Sequence, residues 1–177
     1  MKALRSLCAF LPLLVVFLVS FVACNDTDDG SYVAPITTYE KIKGSWALKS
    51  LQQVDEIAKA NSQSPSEMTL TDQFGFSTFT ITLNVDANNL PTTYAVGGSA
   101  PALFASNGYW ELDFPYPNAN ATPALIHLYS DAAKTQRTGG LYVTAVPSAT
   151  QILELRLTRS TQGVPFVSYV YSLSPAN

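Results

Sequence analysis

Apolar residues occupy every second position over long stretches of this chain. Between residues 79 and 85, Phe, Ile, Leu and Val alternate with Thr and Asn, and between residues 153 and 157, Leu alternates with Glu and Arg. Successive side chains of an extended strand point to opposite faces, so a period of two predicts strands with one buried face. The chain must therefore pair these strands into a sheet whose apolar face is covered.

The same alternation predicts about eight strands and an all-β fold. They are expected at residues 44–50, 79–85, 92–96, 109–114, 124–129, 141–146, 152–159 and 167–173. Strands joined mostly by short turns form an antiparallel meander, and a meander loses its exposed edges when it curls into an up-and-down barrel. A sandwich of two packed sheets is the alternative.

One internal segment, residues 55–76, lacks the alternation. Ser64 and Glu67 have the spacing of a capping box, with Pro65 at the first helical position. Residues 54–60 are also compatible with one or two helical turns. We therefore predict a short helical insert between the first two strands, near one mouth of the barrel.

The N-terminus has the pattern of a bacterial lipoprotein signal peptide. Lys2 and Arg5 precede an almost wholly apolar stretch of residues 7–23, which is interrupted by Pro12 and followed at once by Cys24. We expect cleavage before Cys24 and lipid attachment to it. Each buried CH₂ of the lipid contributes ~0.8 kcal/mol, so two or three acyl chains hold a protein stably at a membrane. Ordinary secretion with a free Cys24 thiol and an uncleaved anchor are the alternatives.

These patterns divide the chain into three parts. Residues 1–23 are the predicted signal peptide, residues 24–38 an acidic flexible tether, and residues 39–177 a single β-barrel domain. The tether contains Asp26, Asp28 and Asp29, which are solvated side chains in the simplest interpretation and weak calcium ligands in another.

Composition limits the partners of the mature chain. Loss of Lys2 and Arg5 with the signal peptide leaves eight basic residues against thirteen acidic ones, a net charge of −5. Nucleic-acid binding needs clustered basic residues, so we exclude it. Cys8 leaves with the signal peptide and Cys24 is lipidated, so we expect no disulfide, and the domain must be held by its apolar core.

The beginning of the first strand, Gly44-x-Trp46, resembles the Gly-x-Trp start of lipocalins. In that family a late Arg stacks across this Trp and closes one end of the barrel. The resemblance implies that Arg156 or Arg159 has this role, with a cation–π contact of ~0.5–2 kcal/mol. A second Gly-x-Trp at Gly108 shows how readily the motif arises.

The layout as a whole is similar to lipocalin-like lipoproteins of unknown function from Bacteroidetes. The shared features are the lipidated cysteine, Trp46, and the segments Leu70-Thr71-Asp72-x-Phe74, Pro91-Thr92-Thr93-Tyr94 and Gly108-x-Trp110-x-Leu112. The acidic residues after Cys24 resemble those of surface-exposed lipoproteins of the same bacteria. The resemblance implies a lipocalin-like barrel, lipid-anchored to the outer membrane and facing the cell exterior. It implies no particular ligand.

No catalytic constellation is evident in the sequence. His127 is the single histidine, and no pattern places an acid and a nucleophile beside it. Glu111 and Asp113 lie two residues apart on one strand face, which is more typical of a solvated face than of a paired-carboxylate site. We therefore predict that the protein is not an enzyme, and we expect no metal and no cofactor.

The aromatic residues are the best candidates for ligand contacts. Trp46 and Trp110 share faces with aliphatic residues and are expected in the core, whereas Tyr109, Tyr116 and Tyr142 are expected to face outward and are the possible ligand-facing residues. We predict binding of a small apolar molecule or a glycan at the barrel mouth. The alternative is a structural or interaction subunit of an outer-membrane complex without a small ligand.

Overall fold

The computed structural model describes residues 33–117, 120 and 122–176. One compact unit spans Ile36–Asn177. The predicted signal peptide, Cys24 and the acidic part of the tether lie outside the described residues, so their assignments stay predictions.

Strands dominate the described chain. The helices are α1 (Thr38–Ile42), α2 (Glu56–Ala60) and a 3₁₀ helix (Phe76–Thr78). The strands are β1 (Gly44–Asp55), β2 (Glu67–Thr69), β3 (Thr80–Val85), β4 (Pro91–Gly97), β5 (Asn107–Leu112), β6 (Ala124–Tyr129), β7 (Arg137–Ala145), β8 (Leu153–Thr161) and β9 (Val164–Pro175).

The strands form one antiparallel sheet that closes on itself. Its order is β2-β1-β3-β4-β5-β6-β7-β8-β9, with an additional pairing of β1 with β9. That pairing runs from Trp46 opposite Pro175 to Asp55 opposite Val167 and is interrupted by one irregularity after Leu48. The result is a closed eight-stranded barrel with β2 outside it. The predicted barrel is confirmed, and the sandwich alternative is excluded.

Strand β1 is long enough to serve two neighbours on one of its edges. Its first residues pair with β3, from Gly44 opposite Leu83 to Ala47 opposite Thr80. Its later residues pair with β2, where Gln52 lies opposite Thr69. Between these pairings the Leu48 amide donates to the Phe79 carbonyl at 3.0 Å. The edge of β1 is therefore occupied along most of its length, and no long unpaired edge is exposed.

The barrel interior is filled by its own side chains. The largest fully buried residues are Trp110, Tyr94 and Tyr171, and they are joined by leucines and isoleucines from β1, β3 and β6 to β9. Interior and exterior residues alternate along each strand, as the sequence predicted. This unit contains the whole described core and the complete closed sheet, which are the requirements for independent folding.

Helix α1 covers one end of the barrel, which we call the closed end. A capping box formed by Thr37 and Glu40 starts the helix, and Ile42 is fully buried beneath it. The indole nitrogen of Trp46 donates to the Ile42 carbonyl at 2.8 Å. The Tyr39 ring meets that of Trp110 edge-on, with centroids 5.8 Å apart. Both tryptophans lie in the core, as predicted.

The insert between the first two barrel strands is only partly as predicted. Its helix is α2, which begins because the Asp55 carboxylate accepts hydrogen bonds from the backbone amides of Ile57 and Ala58. The capping-box spacing at Ser64 starts no helix: Glu67–Thr69 is strand β2 instead. That prediction was wrong because pairing with β1 satisfies the backbone of this segment, an interaction that local spacing does not reveal.

Gly108 is the position where the barrel wall is least tolerant of a side chain. It has a positive φ of 153°, and a Cβ there would lie 2.2 Å from the Tyr129 carbonyl oxygen and 3.1 Å from the Tyr94 ring. Neither the backbone nor the buried ring can move away cheaply.

We expect Gly108→Ala to lower the free energy of unfolding by about 2–4 kcal/mol, since it adds a backbone clash to conformational strain. Gly163→Ala is the matched control, because Gly163 also has positive φ but no atom lies within 4 Å of its added Cβ. The control should lose only about 1–2 kcal/mol. Urea unfolding measures both, and equal losses would contradict this account of the wall.

Candidate functional site

The end of the barrel opposite α1 is the candidate binding site, and we call it the mouth. It is formed by the end of β1, the end of β8 and the start of β9, which the sheet register brings to the same level. The connection between β4 and β5, residues 98–106, lies against this end, and we call it the mouth loop. Three of its residues, Ala100, Leu103 and Phe104, pack against the core.

Phe104 brings the mouth loop into contact with the aromatic residues of the interior. Its ring centroid lies 6.4 Å from that of Phe79 and 6.3 Å from that of Tyr171, both in edge-on geometry. Phe79 and Tyr171 are themselves 5.0 Å apart. The loop thus adds an apolar side chain to the aromatic cluster at the mouth.

Arg159 holds the same loop through its guanidinium group. This group donates a hydrogen bond to the Leu103 carbonyl, and the Arg159 side chain is solvent-exposed at the rim. Among the described residues, no carboxylate lies within 4.0 Å of Arg159. A cation whose partner is a neutral carbonyl retains the capacity to bind an anion.

The hydroxyl groups of Thr78 and Ser99, which are 3.1 Å apart, fix the start of the mouth loop. The Thr78 hydroxyl accepts from the Ser99 amide at 2.8 Å and donates to the Gly75 carbonyl at 2.8 Å. Gly98 has a φ of 100°, and a Cβ there would lie 2.3 Å from the Thr78 carbonyl oxygen. The loop is therefore anchored at its first residues. Further along, Leu103 and Phe104 are held by the hydrogen bond from Arg159 and by packing of their side chains against the core.

The aromatic side chains at the mouth carry no charge. Burial raises the pKa of the Tyr171 phenol, and the neighbouring Tyr169 raises it further, whereas Arg159 opposes the shift. Tyr171 therefore stays protonated at physiological pH. The cluster of Phe79, Phe104 and Tyr171 is therefore apolar and uncharged, and Arg159 adds a positive charge beside it at Leu103, which suits an apolar molecule with an anionic group.

The two arginines expected near Trp46 lie elsewhere. Arg156 pairs with Val170, which in turn pairs with Gln52, so it is level with the second half of β1. Arg159 lies still nearer the mouth. Trp46 is at the closed end, where the Ile42 carbonyl is the partner of its indole. The expected stacking of either arginine on Trp46 is not formed, because helix α1 covers that end instead.

Arg156 has a structural partner on the outside of the barrel. Its guanidinium forms an ion pair with Glu56 of α2, and both side chains are mostly buried. Burial raises the pKa of the Glu56 carboxyl, but hydrogen bonds from Ser168 and Arg156 outweigh it, so the pKa lies below its usual value. This contact attaches α2 to the barrel wall.

The three predicted ligand-facing tyrosines lie outside the mouth. Tyr109 is half-buried on the outer face of β5, opposite Tyr129. Tyr142 is 41% exposed on the outer face of β7, and Tyr116 is 46% exposed in the connection between β5 and β6. All three face outward, as expected, but the structure does not bring them together in one pocket.

The ionisable residues of β5 and β6 also lie on the outer face. His127 is half-buried, and its pKa is lowered by burial and by the positive charge of Arg137. Glu111 lies 3.9 Å from the Lys134 ammonium. The Asp113 carboxylate accepts hydrogen bonds from the backbone amides of Phe114 and Leu125, both at 3.0 Å. These contacts are those of a solvated strand face, as the sequence indicated.

A second concave region lies at the closed end. Its volume is about 180 Å³, less than the roughly 300–1,000 Å³ of typical small-molecule sites. Its lining is mainly apolar and consists of Thr38, Phe114, Pro117, Thr122, Pro123, Ala124, Val143, Thr144 and Val146. A cavity of this volume can hold one side chain of a protein partner but is small for a whole ligand.

The described residues contain neither a group of side chains that could hold a metal nor a helix that could cross a membrane. In that part of the chain, no three His, Cys, Asp or Glu side chains are grouped closely enough to hold a metal ion. No helix there has the length and apolarity needed to cross a membrane.

Sequence reasoning did not identify the mouth loop or the partner of Arg156. The loop carries a weak signal, since Ala100, Leu103 and Phe104 are apolar residues in a connection that follows Gly97 and Gly98. Glu56 and Arg156 are 100 positions apart, and only the closed topology brings them together.

Comparison with known proteins identifies a family but no function. The family described as "Domain of unknown function (DUF5004)" matches residues 20–174. No curated protein and no solved structure matches the chain.

The Glu56–Arg156 pair predicts a specific dependence of stability on pH. The folded-state pKa of Glu56 lies below its ordinary value of 4.5. The ionised carboxylate therefore stabilises the fold fully above about pH 4.5, and this stabilisation is lost as the pH falls through the folded-state pKa. Near neutral pH we expect Glu56→Gln to cost about 1–3 kcal/mol, since it removes a charge-assisted hydrogen bond.

Urea unfolding from about pH 7 to about pH 3 measures this difference. The gap between Glu56→Gln and the unchanged protein should narrow as the solution becomes acidic. Glu67→Gln is the control, because the Glu67–Lys59 pair is about half-exposed on both sides and contributes little. A gap that is constant over this range contradicts the assigned role of Glu56.

Proposed function

We propose that this chain, which belongs to the DUF5004 family, is a lipid-anchored, non-catalytic binding protein of the outer cell surface. Its ligand is a small apolar molecule that enters the barrel mouth and carries an anionic group. The observation that carries this proposal is the plug formed by Leu103 and Phe104, held at the mouth by Arg159. The closed barrel is compatible with a lipocalin-like binding domain.

The position of the plug supports a model in which the ligand replaces Phe104 on the aromatic rings of the mouth. Phe104 covers the aromatic rings of Phe79 and Tyr171, and withdrawing it returns apolar surface to water at roughly 25 cal/mol per Å². An apolar ligand that covers the same rings offsets this cost. The ligand then stabilises an open state of the loop that the free protein populates only slightly.

The charge at the rim supports the anionic group. Arg159 donates to a neutral carbonyl in the closed state. A carboxylate is a stronger acceptor than a carbonyl, so exchange of partners favours a ligand whose head is negative. The ring cluster of Phe79, Phe104 and Tyr171 is aromatic and uncharged, and it favours the tail.

One observation favours the alternative, a subunit that binds another protein. Large apolar side chains are exposed at the mouth end of the barrel: Phe74 is 70% exposed, Val164 60% and Phe166 40%. Large apolar side chains exposed at one end of a domain are typical of interaction surfaces. Protein binding through these residues would leave Arg159 and Phe104 without effect on affinity, which separates the two functions.

The lipid anchor is tested on the protein extracted from membranes. The pattern of Lys2, Arg5, the apolar residues 7–23 and Cys24 predicts cleavage before Cys24 and a diacyl or triacyl cysteine. Intact-mass spectrometry should show the mass of residues 24–177 plus the lipid. Cys24→Ser, the control, should lose the added mass and membrane retention. An unmodified Cys24 in the native protein would refute the anchor.

The ligand proposal is tested by calorimetric titration of residues 36–177 with dodecanoate below its micellar concentration. We expect saturable binding, and binding of dodecanol weaker by about tenfold or more, because a hydrogen bond to a charged group contributes about 1.5–3 kcal/mol. Arg159→Gln should reduce the affinity for dodecanoate to that for dodecanol. Lys41→Gln, which removes an exposed charge at the closed end, is the control.

Phe104→Ala separates a plug from a merely structural residue. If Phe104 competes with the ligand, its truncation lowers thermal stability but raises the affinity for dodecanoate. The absence of dodecanoate binding in both the unchanged protein and Phe104→Ala, or equal binding of dodecanoate and dodecanol, contradicts the proposal.

A further inference from the structure

The outer faces of β5, β6 and β7 differ from those of β1 and β3. The exterior of β1 and β3 carries Ser, Thr, Gln and Asn, the usual residues of a solvated sheet. By contrast, the exterior of β5 to β7 carries aromatic residues that are half-buried or exposed. We call this surface the aromatic wall, and it consists of Tyr109, Glu111, Leu125, His127, Tyr129, Arg137 and Tyr142.

A glycine makes room for a cation at the centre of this wall. Gly140 lies opposite His127, and a Cβ on it would be 3.1 Å from Arg137 Nη2 and 3.1 Å from Leu125 Cδ1. Arg137 Nε also donates to the Gly139 carbonyl at 3.2 Å. The guanidinium therefore lies against the backbone of Gly139 and Gly140, in space that a side chain at position 140 would narrow.

The positive charge of Arg137 is not neutralised by a neighbouring acid. No described carboxylate lies within 4.0 Å of it, and Glu111 is paired with Lys134. The Asp113 carboxylate is held by the amides of Phe114 and Leu125. His127 is kept largely neutral at pH 7, because burial and Arg137 together lower its pKa. The chain is acidic overall, but in the aromatic wall Arg137 has no described carboxylate as a partner and can therefore bind an anion.

The wall is longer than a single small ligand. Tyr109 pairs with Tyr129 on β6, and Tyr142 pairs with Leu125 on the same strand. The two tyrosines are thus separated by two strand spacings and four residues along the strand, which corresponds to about 17 Å between their backbones. A ligand that contacts both must be extended. Arg137 is level with Tyr109, and its guanidinium reaches back to Gly140, midway along the strand between the levels of Tyr109 and Tyr142.

We infer that the aromatic wall binds an acidic oligosaccharide. Tyrosine rings at the surface offer apolar faces to sugar rings and a hydroxyl for hydrogen bonds. The planar guanidinium of Arg137 matches a sugar carboxylate through two parallel hydrogen bonds. A neutral glycan would leave the charge of Arg137 without a partner, and an apolar molecule would leave the tyrosine hydroxyls without hydrogen-bond partners. The site shares no residue with the mouth, so its test is independent of the proposed function.

The test is titration of residues 36–177 with tetragalacturonate, monitored by calorimetry and by the amide NMR signals of β5 to β7. The fully methyl-esterified tetramer is the neutral comparison. We expect saturable binding of the acid form, with shifts confined to the wall, and binding of the ester weaker by about tenfold or more. Arg137→Gln should abolish the difference between the two forms.

Two further variants separate a built site from a simple charge effect. Gly140→Ala keeps the arginine but displaces its guanidinium, so it should weaken the acid form selectively. Tyr142→Ala should weaken both forms. Tyr116→Ala, equally exposed but outside the wall, is the control and should bind normally. Thermal unfolding of each variant confirms that it is folded.

Three results would overturn the inference. One is no binding of tetragalacturonate by the unchanged protein. Another is equal affinity for acid and ester. The third is unchanged binding in both Arg137→Gln and Gly140→Ala, which would mark the interaction as non-specific attraction of a polyanion.

Discussion

The pairing of β1 with β9 is the interaction on which the rest of the structure depends. It joins the first and last strands of the barrel over nearly the whole length of both, from Trp46 to Asp55 on β1. Without it the sheet has two open edges and its filled interior is exposed along one seam. With no disulfide expected, closure and the apolar core together supply the stability. Because closure involves residues about 120 positions apart, the barrel forms as a whole or not at all.

Closure also gives the two ends of the barrel different properties. Helix α1 immediately precedes β1, so it lies at the end where β1 begins and covers that end with Ile42 and the hydrogen bond to Trp46. The opposite end is covered by the 3₁₀ helix with its buried Phe76 and by a connection, the mouth loop. The central part of the mouth loop is held by packing of Leu103 and Phe104 and by one guanidinium, and we expect it to be easier to displace than a capped helix.

Much of the fold was predictable from the sequence, because a period of two reports directly which residues face inward. The strand at Ala124–Tyr129 was predicted to the residue, and Trp46 and Trp110 were expected in the core, where both lie. The predictions that failed concern contacts that form only when the barrel closes. The role given to Arg156 required knowing which level of β1 it reaches, and the partner it has, Glu56, lies in an insert without strand periodicity. The mouth loop was missed for the same reason: alternation does not extend into connections.

The central claim is that the barrel is one cooperative closed unit with a displaceable loop at its mouth. Native-state hydrogen exchange measures this directly, since it reports the free energy of opening at each amide. The amides of β1 and β9 should exchange with the slowest class, together with β3 to β8, while those near Leu103 and Phe104 should exchange through a smaller opening that leaves the barrel intact. Faster, local exchange of β1 and β9, or a mouth loop as slow as the strands, would contradict the account.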